Sequence, residues 1–246
     1  MRRCLPLLFL LAGPLAAQHS EASHVTLPGA ITDSTPIGRY DRAVLGGFGR
    51  RVSTVSAEAQ TYFDQGVTFM YAFDVHGARR SFRMAERADP ACAMCFWGEA
   101  WALGPYLNEG MDAANVRRAF DAVRIAGRLV KKSGTPVERD LVRALATRYG
   151  TATDTLARRR LDSAYAAAMA PVAAARPADV DVQTLYAESL MLLEPRRGTW
   201  SLEKPSVREI HRVLGRAVEQ DVRHPGACHL YIHATETTPD AGKAAT

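Results

Sequence analysis

The stretch from Tyr62 to Pro90 constrains the fold more than any other part of this chain. It reads Tyr62-x2-Gln65-Gly66-x2-Phe69, then Ala78-x3-Phe82-x2-Ala85-x4-Pro90. Aromatic and small residues recur at helical spacing through a hairpin unit of about 34 residues. Small residues let two helices approach closely, and aromatics fill the seam between them. Pro90 ends the second helix and turns the chain into the next unit.

The pattern restarts at Phe96, with Ala100 and Leu103 at the following seam positions, and a partner helix is predicted over about Ala113 to Lys132. A third hairpin opens on Thr135-Pro136-Val137-Glu138, a capping box with proline at the first helical position. Its second helix starts near Asp154, is expected to kink at Pro171, and closes at Pro177. A fourth opens near Val180 and pairs with a helix over about Ser206 to Val222. A fifth begins at His224-Pro225, and no partner helix follows before Thr246. A polar terminal cap is missing, so the chain reads as an incomplete piece of a longer repeat protein. The connections Gly104–Asp112 and Glu194–Pro205 are long for helix-to-helix turns, which invites either a functional role or neutral surface insertion.

On these residues the chain resembles the tetratricopeptide repeat (TPR) family. The resemblance implies an all-α fold, a right-handed α-α superhelix of about four and a half hairpins over residues 56–238, followed by a truncated tail at 239–246. It also implies that the first helix of each hairpin lines a concave face. Gln60, Phe63, Val67 and Met70 then fall on that face in the first hairpin, and Trp97 and Trp101 in the second. Asp181, Thr184, Glu188 and Met191 follow in the fourth, then His229, His233 and Glu236 in the last. No such positions are assigned in the third.

Residues 1–17 carry a short basic start, an apolar run and small residues at a cleavage point, the pattern of a signal peptide. The run is too short to span a membrane, so a periplasmic or secreted location is expected, with no transmembrane segment in the mature chain. Residues 18–55 are rich in Ser, Thr, Gly and Pro and read as a flexible leader, with tight turns allowed around Gly46-Gly47-Phe48-Gly49. The formal charge of +5 includes Arg2 and Arg3, and Arg158-Arg159-Arg160 reads as a solvated helix face. No aromatic-basic module accompanies the charge, so no nucleic-acid partner is expected.

Three residue groups could carry chemistry. His229, His233 and Glu236 share one helix face, where two imidazoles can grip a divalent transition metal and a carboxylate can complete or orient the shell. They can equally hydrogen-bond to neighbouring helices or to a peptide carboxylate. Cys92 and Cys95 open a helix, as a disulfide, two buried thiols or a redox pair; Phe96 after Cys95 excludes c-type haem attachment. Trp97 and Trp101 can stack on a ligand or pack as core. No serine elbow, phosphate loop, dinucleotide fingerprint or glycosidase carboxylate pair is present. The expected function is an exported scaffold that binds a protein or peptide on its concave face and needs no cofactor. The alternative is a metal-dependent or redox protein using the His/Glu cluster or the cysteine pair.

Overall fold

The computed structural model describes residues 32–33, 35–150, 155–195, 200–236, 238–239 and 241–242. The expected signal peptide, the leader before Thr32, Arg196–Thr199 and the last four residues therefore lie outside the described residues. Among the described residues the fold is all-helical. The helices are α1 (Ala57–Tyr71), α2 (Val75–Ala88), α3 (Ala93–Leu103), α4 (Val116–Ser133) and α5 (Pro136–Ala146). After them come α6 (Thr155–Ala174), α7 (Val180–Met191), α8 (Pro205–Gln220) and α9 (Pro225–Thr235). A 3-10 turn, Ala113–Asn115, precedes α4.

Local chemistry sets the helix starts. Ser56, Asp74, Asp179 and His224 each accept a backbone N–H with the side chain at an N-terminus. Thr135 and Glu138 form both halves of the capping box at α5. Helix α6 runs through Pro171 as far as Ala174. Each helix packs on the next, and α1 also packs on α3, α3 on α5, α7 on α9 and α1 on α9. The first and last of the described helices are thus brought together.

The seam expected from Tyr62 to Pro90 is built around one ring. Phe82 is fully buried, with its centroid 5.6 Å from that of Phe63. A Cβ added to Gly66 on α1 would lie 2.7 Å from the ring, and one added to Gly98 on α3 would lie 2.4 Å from it. The aromatic therefore takes the space that two glycines leave open.

The leader is not a free tail over residues 35–55. Its Tyr40 N–H donates to Gln65, Ile37 and Val52 are buried, and Phe48 packs edge-on against Tyr71. Ser53 donates to Glu138 through both its N–H and its hydroxyl, at 2.6 Å each. Thr54 donates to Asp89. Arg50 bridges Asp179 and Asp181 at the start of α7. These anchors are single side chains, apolar and polar, without helical periodicity, which is why composition pointed to a loose segment.

Between α2 and α3 two carboxyls meet. Arg118 pairs with Glu86 at 3.2 Å and with Glu99 at 2.7 Å, and Arg83 pairs with Glu99 at 2.6 Å. Burial, then the neighbouring Glu99, pushes the Glu86 carboxyl up to about 9 against the pull of Arg118 and Arg83. The folded protein thus keeps a proton that the unfolded chain releases from its ordinary value of 4.5 upward. Stability from this group is full below that value and declines as pH rises toward the folded value. Glu86→Gln is expected to flatten the fall in Tm between about pH 5 and about pH 8. Thermal melts of both proteins across that range check it, and parallel curves would contradict it.

Candidate metal site on the last helix

A polar cluster links the ends of α1, α7 and α9. The Nδ1 of His224 accepts from the Ala227 N–H, so Nε2 carries the hydrogen and donates to Asp181 Oδ1 at 3.1 Å. The Tyr71 hydroxyl donates to the same oxygen at 2.7 Å, and Arg50 Nη1 donates to Oδ2 at 2.9 Å. Burial pushes the Asp181 carboxyl up, but His224, Arg50 and Tyr71 outweigh it and hold it below the usual carboxylate range. This cluster fixes where α9 begins and how it lies against α1. A Cβ on Gly226 would lie 2.4 Å from the Tyr71 ring, so glycine is what permits that approach.

One turn further along α9, His229 and His233 come under the same control. His229 Nδ1 lies 2.5 Å from the carbonyl oxygen of Tyr71, which can only accept, so Nδ1 is the protonated nitrogen. His233 Nδ1 donates to Glu236 Oε1 at 2.8 Å. Both rings are thereby turned so that their Nε2 atoms face one another, 3.1 Å apart. Two bare lone pairs at that separation repel, and an electrophile shared between them, a proton or a metal ion, removes the repulsion. For metal–nitrogen bonds of 2.0–2.1 Å, two ligands at right angles lie ~2.9 Å apart and two at the tetrahedral angle ~3.3 Å. The observed spacing falls between these.

Phe73 covers the pair. Its centroid lies 4.3 Å from that of His229 and 5.4 Å from that of His233, stacked on the latter at 7°. It holds this position with a φ of 60°, the one non-glycine residue with positive φ among those described. That left-handed conformation costs roughly 1–2 kcal/mol in an ordinary side chain. Phe73 also meets Tyr106 of the long α3–α4 connection edge-on, with centroids 5.6 Å apart. The side chain of His233 is 23% exposed and that of Glu236 49%, so the site opens to solvent on one side. Among the described residues, no group of three or more His, Cys, Asp or Glu side chains is arranged to hold a metal ion. A metal held by the pair would therefore keep positions open to water or another ligand.

The other expected site residues lie elsewhere. Phe63, Trp97 and Trp101 are 0, 2 and 2% exposed, so they fill the interior and do not line an open surface. Trp101 Nε1 donates to Glu188 Oε2 at 2.9 Å, which joins α3 to α7, and Trp97 Nε1 donates to the Leu141 carbonyl. Burial pushes the Glu188 carboxyl up, against Arg148 and Trp101. Cys92 and Cys95 are joined as a disulfide, with both side chains buried at the start of α3. Tyr71, Phe73, Arg50 and His224 were missed in the sequence. Only His224 offered a signal, since it stands before Pro225 where a side-chain cap belongs.

No family model, curated protein or solved structure matches this chain.

Proposed function

We propose that this chain is an exported, TPR-like helical module that binds a divalent transition metal through the Nε2 atoms of His229 and His233. The observation that carries the reading is the 3.1 Å separation of two ring nitrogens whose partner nitrogens are both committed as donors. Outer acceptors that fix the tautomer and orientation of each imidazole are the usual support of a histidine ligand. Imidazole pairs favour Cu(II) over both Ni(II) and Zn(II). Glu236 serves as the acceptor that orients His233, and the open positions suit water or a small donor ligand.

Calorimetric titration of the wild type with Zn(II) and with Cu(II) tests the reading. One equivalent should bind, His229→Ala and His233→Ala should each abolish the binding, and Glu236→Gln should weaken it by about 10–100-fold. Binding that is absent in the wild type, or unchanged in His229→Ala, would refute it.

A protein or peptide partner is a second reading, favoured by the apolar side chains left open near α9. Val222 is 70% and Ile232 46% exposed. Such a partner would use this outer face and not the buried indoles.

A further inference from the structure

Helix α4 holds the charge imbalance of the chain. It carries Arg117, Arg118, Arg124, Arg128, Lys131 and Lys132 against the single acid Asp121, a net charge of +5. That equals the formal charge of the whole chain, so the other 228 residues sum to zero. Two of the six cations are matched: Arg117 pairs with Asp121 at 2.7 Å, and Arg118 pairs with Glu86 and Glu99. Arg124, Arg128, Lys131 and Lys132 are exposed, and no carboxylate among the described residues pairs with them.

The helical period sets these four on one face. At 3.6 residues per turn they fall within roughly 100° of arc and ~12 Å of helix axis. Ala119, Ala122, Val123, Ala126 and Val130 take the opposite face and are buried. Lys131 and Lys132 suit the negative end of the helix dipole, but Arg124 and Arg128 stand too far from that end to gain from it. Like charges at i,i+4, as in Arg124 with Arg128 and Arg128 with Lys132, destabilise a helix. The stripe therefore works against its own helix until an anion meets it.

The surface also selects among polyanions. The Arg124 guanidinium lies over the Phe120 ring, 5.5 Å from its centroid, so that ring is not free to stack on a base. Phe120, Ile125 and Leu129 are half-buried, so α4 presents no apolar wedge. A straight row of cations along one helix touches a curved duplex over a short arc, but it meets a flat anionic layer over its full length. We propose that the α4 face bearing Arg124, Arg128, Lys131 and Lys132 docks this protein on a membrane surface of anionic phospholipid, with the four cations against the phosphate headgroups. Among the described residues no helix is long and apolar enough to cross a membrane, so attachment through α4 is peripheral. It does not depend on the histidine pair.

Co-flotation with vesicles of phosphatidylglycerol and phosphatidylcholine in equal parts tests this, with pure phosphatidylcholine vesicles as the blank. A chelator keeps any metal from bridging protein and lipid. The wild type should float with the anionic vesicles, not with the blank, and should be released as salt rises from about 0.1 M to about 1 M. Each cation removed should lower partitioning about fivefold, so Arg124→Gln/Arg128→Gln should bind about 25-fold more weakly. Arg124→Lys/Arg128→Lys keeps the charge and should float like the wild type. So should Arg159→Gln/Arg160→Gln, which removes two exposed cations from α6. A wild type that fails to float with the anionic vesicles, or that floats equally with the blank, would overturn the proposal. So would an undiminished Arg124→Gln/Arg128→Gln, an equal loss in Arg159→Gln/Arg160→Gln, or tighter capture by a mixed-sequence DNA duplex or by polyglutamate than by the vesicles.

Discussion

Phe82→Ala is expected to destabilise the protein by about 3–5 kcal/mol, the range for deleting a fully buried aromatic side chain. The ring has no exposed surface and fills the space between Gly66 and Gly98, so its loss opens a cavity where α1, α2 and α3 meet. The reciprocal change overfills the same space. Gly98→Ala would place a methyl carbon 2.4 Å from Phe82 and should cost about 1–3 kcal/mol. The two changes must then couple, because Phe82→Ala vacates the volume that the added methyl group needs. Urea denaturation of both single variants and the double variant measures this. A double variant no more stable than the sum of the two losses predicts would contradict the shared seam.

The second large effect is at Arg50. Its side chain is 14% exposed and forms ion pairs with Asp179 at 2.8 Å and Asp181 at 2.9 Å. Arg50→Ala leaves Asp181 buried with only His224 and Tyr71 against it. Removing one partner from a buried pair costs about 3–5 kcal/mol, because the remaining charge stays out of water. The leader should also come loose, since the arginine is its link to α7. Arg51→Ala, at an exposed neighbour, should stay within about 0.5 kcal/mol of wild type. Denaturation midpoints and limited proteolysis between residues 35 and 55 check both effects. A mild Arg50→Ala, comparable to Arg51→Ala, would show that the leader does not clamp the helices.

These two sites also mark what was legible in the sequence. Gly66, Phe82 and Ala85 repeat at helical spacing, and repetition survives in a linear string because each helix buries the same face. The helix starts were legible too, since a cap is a contact over three residues, as in Thr135 and Glu138. Arg50 could not be read this way. Its partners are 129 and 131 residues away, and nothing local in a Gly- and Ser-rich stretch distinguishes it from its neighbour Arg51. The burial of Trp97 and Trp101 was equally hidden. Their spacing placed them on one helix face, but what covers that face is Glu188 of α7 and Leu141 of α5. In the candidate site, the shared face of His229, His233 and Glu236 was visible from their spacing. The facing of the two Nε2 atoms was not, because it depends on the Tyr71 carbonyl and on Phe73 at the far end of α1.

The metal reading is tested most directly by a zinc K-edge absorption spectrum of the protein loaded with one equivalent of Zn(II). Two imidazole nitrogens at about 2.0–2.1 Å are expected, with the remaining shell made of light oxygen donors. The imidazole scattering should vanish in a folded His229→Ala/His233→Ala variant. A spectrum without imidazole scattering, or one that the double variant leaves unchanged, would contradict the account.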